Sequence, residues 1–538
     1  MNKIILTTSL LLVAVFTVAY LYFSSISADS HDNDKALSLI TNDAALILTF
    51  KNDKSIYEIF NDYTVFDAIV GSKKKEELSA LKSLLQDSKT VFENTSGEDI
   101  FLSFHPLKGD SVAFLWTMAL PQGLEKPDLI EGLQRNSDVQ IKESKIGETD
   151  IIEADVKSLR RIFYLHVSQD VISGSFSKVV MINSLDPKTE KIGPRLIEEV
   201  NRSTRQSQNS PASVFINFPS SIPFLAKFFR NKLSGNFTLL NRFNAIATLN
   251  MNFKSDALML NGITETDTTK QNYINLFLHQ KAVNNPIKRI VPDNTANYIA
   301  YGVSDYHIFH QDLKGLLKAR NELEKLKVNL DLIRNETGID VDRDIKKYWG
   351  NEFITFQLST QEKFGGIQLT NGRQMQFFMD PISSEYADNI RHLDYPGILY
   401  YYFGDAFKQF NKPFFAIVDN QMIVSNSARA LQRYSNRYRR NLLHTNQGFI
   451  NFDQLVADNS NISVFVHTRN SGSNIKSQLK PAYASNFKSG EFGLNEFYGF
   501  SYQLSSENYH FFTNFYAGYK EKPADKSVSA TPNVLNRP

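Results

Sequence analysis

FYLHVSQDVISGSFSK, residues 163–178, reads as a strand, a short polar turn, a second strand and the start of a helix. FFAIVDNQMIVSNSAR, residues 414–429, repeats that plan 251 positions later without a gap. The turns fall at Ser168-Gln169-Asp170 and Asp419-Asn420-Gln421, where Asn and Asp tolerate the left-handed backbone of a tight hairpin.

Four further blocks recur in the same order. Ala45–Phe50 matches Ala296–Tyr301 at 251 positions, and Gly97–Phe101 matches Gly350–Ile354 at 253. Ser213–Ile216 matches Ser463–Val466 at 250, and Asn250–Gly262 matches Ser501–Thr513 at 251. Beta-rich chains share alternating patterns by accident, but five matches in one order with so little drift point to a tandem duplication. The units run over 37–287 and 288–519. In each, strands joined by short hairpins alternate with single helices, which predicts an α+β body of antiparallel sheet covered on a face by helices. Leu316, Ala319, Leu323, Leu326, Leu330 and Ile333 form one apolar stripe, read as one long helix, with Leu78, Leu81, Leu84 and Leu85 as the counterpart in the first unit. Ser203–Ala212, rich in breakers, reads as a loop.

The ends and the composition set the compartment. Ile4–Phe23 is twenty residues without a charge, enough for about 30 Å of helix, the thickness of a bilayer core. Lys3 precedes it and Asp29, Asp32 and Asp34 follow, so 1–28 reads as a single-pass anchor in the inner membrane. Its N-terminus is cytoplasmic and the body periplasmic. The alternative is a signal cleaved before Ala28, after Ser25-Ile26-Ser27, releasing the body to the periplasm. Residues 520–538 read as a disordered tail. With no cysteine, disulfides, thiolate catalysis and Cys-ligated metals are excluded; 59 basic against 57 acidic residues give no field for nucleic acid.

Catalytic motifs are missing from the chain: no HExxH zinc helix, no phosphate loop, no GxGxxG after a strand and no GxSxG elbow. A triad assembled from distant segments stays open. The weak metal candidate is Asp305, His307 and His310, since histidines three apart share a helix face; a solvated face is the plainer reading. The anion-binding candidate is Arg429, Arg433, Arg437 and Arg440, joined by Arg439. Arginines four apart repel unless something anionic faces them, and internal salt bridges are the plainer reading. Tyr400-Tyr401-Tyr402-Phe403, the densest aromatic run, reads as core.

The anchor, the duplicated α+β body and the Trp349-Gly350 turn before a strand resemble exported, N-terminally anchored proteins of Gram-negative bacteria of the domain-of-unknown-function type. The resemblance is one of layout and carries over no activity, cofactor or site residue. The expectation is a non-enzymatic, membrane-tethered periplasmic binding or scaffolding protein. It would meet an envelope protein, an anionic lipid or a glycan, with no nucleic acid and no cofactor. An envelope hydrolase or metal-dependent enzyme with a spatially assembled site is the alternative; a carrier of lipid or another hydrophobic ligand is a further one.

Overall fold

The computed structural model describes residues 33–53, 76–77, 79, 92–93, 95–109, 111–121, 126–206, 210–230, 243–254, 257–481, 483–484 and 496–520. Ile4–Phe23, the leucines at 78–85 and the tail beyond 520 lie outside them. Among the described residues no helix is long and apolar enough to cross a membrane.

Twenty strands join in one antiparallel sheet. The first ten are β1 (Leu46–Lys51), β2 (Asp99–Pro106), β3 (Val112–Ala119), β4 (Val139–Ile146), β5 (Thr149–Val156), β6 (Arg161–Val167), β7 (Val171–Ser175), β8 (Ser213–Asn217), β9 (Ala245–Lys254) and β10 (Ala257–Thr266). The second ten are β11 (Thr295–Gly302), β12 (Trp349–Leu358), β13 (Lys363–Leu369), β14 (Ser383–Ala387), β15 (Ile390–Leu393), β16 (Phe414–Val418), β17 (Gln421–Ser425), β18 (Ile462–His467), β19 (Phe497–Glu507) and β20 (His510–Tyr519). Pairing in the first set runs β4-β5-β6-β7-β3-β2-β1-β8-β9-β10. In the second it runs β14-β15-β16-β17-β13-β12-β11-β18-β19-β20. The two orders coincide, strand n with strand n + 10, and β10 pairs with β20 to make the sheet continuous.

Registers coincide too. Leu46 faces Phe104 and Ile216; Asn297, 251 positions after Leu46, faces Gln357 and Val466, which lie 253 and 250 positions after those partners. Two of the sequence matches need correcting. In the hairpin block the turns are Gln169-Asp170 and Asp419-Asn420, so the offset is 250, not 251. Ser175 Oγ donates to Phe114 O (2.6 Å) and Ser425 Oγ to Lys363 O (2.9 Å), while Ser177 and Ser427 cap the helices that follow. A slip of one residue turns every side chain to the other face, and the corrected register sets Leu165 against Phe415, both buried. In the closing hairpin Lys254 pairs with Ala257 and Glu507 with His510, so the offset is 253, not 251. Asn508 and Tyr509 make that second turn with φ of 50° and 64°. Asn261 on β10 then lies directly opposite Asn514 on β20, its Nδ2 donating to Asn514 Oδ1 at 2.7 Å. Next to it Gly262 is forced by close approach, since a Cβ there would sit 1.9 Å from Thr248 O.

The helices, in chain order, are α1 (Lys126–Gln134), α2 (Lys178–Leu185), α3 (Pro194–Gln206), α4 (Phe218–Leu225), α5 (Tyr306–Ala319), α6 (Leu323–Thr337), α7 (Gly372–Met379), α8 (Ile398–Phe403), α9 (Ala428–Asn436), α10 (Gln447–Asp453) and α11 (Thr468–Gln478). They cover both faces of the sheet, not one, because the strands bury both sides. On β2, Phe101 joins a core with Met181 of α2 and Leu196 of α3, while its neighbours Ile100 and Leu102 join another with Leu129 and Leu133 of α1. On β12, Ile354 packs with Leu431 of α9 and Phe452 of α10, and Phe353 with Phe309 of α5, Ile333 of α6 and Phe403 of α8. That last core includes Leu249 and Leu258, so it crosses the β10–β20 seam.

The long leucine helix is instead two. Asn321, at φ 56°, breaks the chain between α5 and α6; Leu316, Leu323, Leu326 and Ile333 are buried, but Ala319 is exposed. Helix α3 continues through Ser203–Gln206, with Thr204 Oγ1 donating to Val200 O at 2.7 Å, so only part of the Ser203–Ala212 stretch is loop. Tyr400–Phe403 lie in α8, all buried.

Candidate functional site

The basic segment begins where Ser427 caps α9, accepting the Ala430 N–H. Ala428, Ala430, Leu431 and Tyr434 pack inward, and the phenol of Tyr434 donates to Ile290 O at 2.9 Å. That fixes the helix rotation and leaves Arg429, Arg433, Arg437, Arg439 and Arg440 exposed. Two of the five are neutralised. Arg433 forks onto Glu362, its Nε 3.0 Å from Oε1, and this pairing raises its pKa; Arg439 meets Asp419 at 2.6 Å. The side chains of Arg429, Arg437 and Arg440 have no hydrogen-bond or ion-pair partner among the described residues. In the first half the position equivalent to Arg429 is Val179, 53% exposed, so that arginine has no counterpart there.

The three metal candidates are not brought together. Asp305 is the N-cap of α5, its carboxylate accepting the His307 and Ile308 N–H groups at 2.8 and 3.2 Å. His307 is exposed, while His310 is fully buried. The His310 ring stacks on Tyr306 at 6.0 Å and meets Tyr401 and Tyr402 at 5.1 Å each. Asp342 accepts the phenols of Tyr401 and Tyr402 at 2.9 and 3.1 Å, closing the cage. Neither ring nitrogen makes a hydrogen bond of sound geometry. Burial, with Lys346 and Lys314 adding to it, pushes the imidazole down to about 3. Among the described residues no group of three or more His, Asp or Glu side chains is placed to hold a metal ion.

One constellation escaped the sequence reading. Ser103 and His105 stand two apart on β2 and so share a face. Ser103 Oγ lies 2.8 Å from His105 Nε2, and His105 Nδ1 lies 2.9 Å from Asp43 Oδ1. Thr41 Oγ1 reaches that carboxylate at 2.5 Å. Burial raises the Asp43 carboxyl, but the His105 and Thr41 hydrogen bonds outweigh it and hold the group below the usual range. The order is that of a Ser–His–Asp triad, but Ser103 has no exposed surface and also reaches Leu115 O at 3.3 Å, so a substrate carbonyl has no approach. What the line does is fasten the segment before β1 to β2. The equivalent positions 253 on, Phe356 and Leu358, are apolar.

A buried acid also ties the start of each half to its second strand. Asp99 accepts from Asn33 Nδ2 at 2.9 Å and pairs with Lys51 at 2.8 Å; Glu352, 253 positions on, accepts the Ile287 N–H at 2.8 Å and has its pKa raised by burial. The matching Gly97-Glu98-Asp99 and Gly350-Asn351-Glu352 blocks carried this signal.

No protein-family model matches the chain, and neither a curated protein nor a solved structure matches it.

Acid should loosen the fold through its sealed imidazoles. His467, the N-cap of α11, is likewise lowered by burial, to about 4. Above pH 6.5 both rings are neutral in either state. Below it the unfolded chain takes up protons that the native one refuses, so stability falls between pH 6.5 and 3–4 by up to about 1.4 kcal/mol per unit per histidine. His310→Phe keeps the packing and removes one such group. Urea titrations at pH 7.5 and 4.5 should therefore show a smaller acid loss, by about 2 kcal/mol, than the parent chain. An unchanged loss would mean that His310 titrates normally.

Proposed function

We propose that this chain is a non-enzymatic binding protein of the bacterial envelope. It is held to the inner membrane by Ile4–Phe23 and offers an anionic lipid surface the arginines of its second half. The observation that carries the reading is the division of charge on one exposed segment: Arg433 and Arg439 are spent on Glu362 and Asp419, while Arg429, Arg437 and Arg440 have no partner among the described residues. Guanidinium groups hold phosphate in bidentate fashion, and a basic side chain at an anionic membrane is worth about 1 kcal/mol. The sealed Ser103 supports the non-enzymatic side, since the serine–imidazole–carboxylate line through it, among the described residues, lacks an approach.

We also infer that the body consists of two tandem units, 37–287 and 288–519, descended from one module. Support comes from the shared strand order, the matching registers, the Ser175/Ser425 and Ser177/Ser427 bonds and the Asp99/Glu352 ties. With Asn261 opposite Asn514, residues at the same position in their hairpins meet at β10–β20, which is the relation of a two-fold dimer fused into one chain.

Three measurements bear on these readings. Fractionation should leave the full chain in the membrane pellet through a carbonate wash; a soluble form starting near Ala28 would reject the anchor. On vesicles with an anionic phospholipid, replacing Arg429, Arg437 and Arg440 together by Gln should weaken binding of the full chain by about 100-fold at low salt, with Arg433→Gln changing it little. Equal binding by parent and triple variant would retire the lipid surface. The chain has no cysteine, so Asn261→Cys with Asn514→Cys creates the sole pair, and mild oxidation should close it within one molecule. Only intermolecular products would disprove the seam.

A further inference from the structure

Beside the arginine segment, with different residues, lies a cleft of about 330 Å³ between the 286–290 turn and α10. Its size suits a small molecule, at the low end for ligand sites. Its apolar lining comes from the partly exposed Ile450, with the buried Phe449 behind it. The rim is charged. Asp453 is already neutralised, since Lys288 Nζ donates to both of its oxygens at 2.7 Å. Arg289 and Asp458 also line the cleft, and neither has a side-chain partner among the described residues, not even the other. His444 adds an Nδ1 that is buried and without a hydrogen bond. A lipid carrier would call for walls apolar throughout, and this cleft carries Arg289, Asp453 and Asp458 beside its apolar residues.

Two opposite charges that face one cavity without pairing are matched by a ligand carrying both charges. A lone carboxylate would be repelled by Asp458, and a lone ammonium by Arg289. We propose that this cleft binds a small zwitterion with an apolar side chain, of the α-amino acid class. Arg289 and His444 take the carboxylate, Asp458 takes the ammonium, and the side chain rests on Phe449 and Ile450. The site goes beyond the membrane-surface reading and would stand if that reading failed.

Isothermal titration of the purified full chain with L-leucine tests it, alongside isovalerate, which lacks the ammonium, and isopentylamine, which lacks the carboxylate. Saturable binding of leucine is expected, with both analogues at least about tenfold weaker, since each loses one charged contact. Arg289→Gln and Asp458→Asn lie at the surface and should each weaken leucine by about tenfold or more, with the melting temperature as the control for folding; Arg429→Gln should not weaken it. No saturable binding up to about 10 mM leucine, isovalerate binding as tightly as leucine, or indifference to both cleft substitutions would each overturn the assignment.

Discussion

The pairing of β10 with β20 is the constraint on which the other features rest. Ten strands in an open array leave two edges of unpaired N–H and C=O groups, and such edges invite association with other chains. Two arrays would leave four. The seam removes the two inner edges and carries an apolar core across the join, through Leu249 and Leu258 on one side and Phe511 and Ala517 on the other. The remaining edges are protected by their sequences: β4 reads VQIKESKI, with charges at Lys142, Glu143 and Lys145, and β14 is short and bulged at Glu385/Ala387. With both faces covered and both inner edges closed, what remains for recognition is the chemistry of exposed segments.

Those segments are where the halves differ. The first half fastens the segment ahead of its leading strand to β2 with Thr41, Asp43, Ser103 and His105, and the second fills the equivalent of Ser103 and His105 with Phe356 and Leu358. Both solutions satisfy burial, one by hydrogen bonds and the other by hydrocarbon. The second half inserts α8 between β15 and β16, where the first has only a short turn between β5 and β6. It also places arginine where α2 carries valine. The basic segment and the charged cleft both lie there, so the framework is shared and the surface is not.

How much of this the sequence revealed depended on burial. The recurring blocks were legible because β1, β2, β8 and β18 must keep apolar residues at fixed registers. The β4–β5 and β14–β15 hairpins went unread: β4 carries Lys142, Glu143 and Lys145, and β14 and β15 are only five and four residues long, so neither shows a clear apolar alternation. The one-residue slip in the hairpin arose because two ungapped matches of a period-two pattern look alike until the Ser175 and Ser425 bonds choose between them. Among the candidate site residues, Asp305 was a helix start rather than a ligand, and an aspartate just ahead of an amphipathic run was the available signal. Ser103 and His105 showed as a serine and a histidine two apart on a strand, but Asp43 joins them only through the fold. No local pattern separated the paired from the unpaired arginines, since Glu362 and Asp419 come from other elements.

The seam also dictates an order of events. Asn261 and its partner are 253 positions apart, so the last strand to pair is the last one to emerge, by whatever route the chain leaves the ribosome. At typical synthesis rates of about 5–20 residues per second, β10 stays an open edge for roughly 13–50 s before β20 exists. Closing so long a loop also makes the contact a late one kinetically. That interval, before folding ends, is when β10 is exposed to other chains and when a holdase covering it would act.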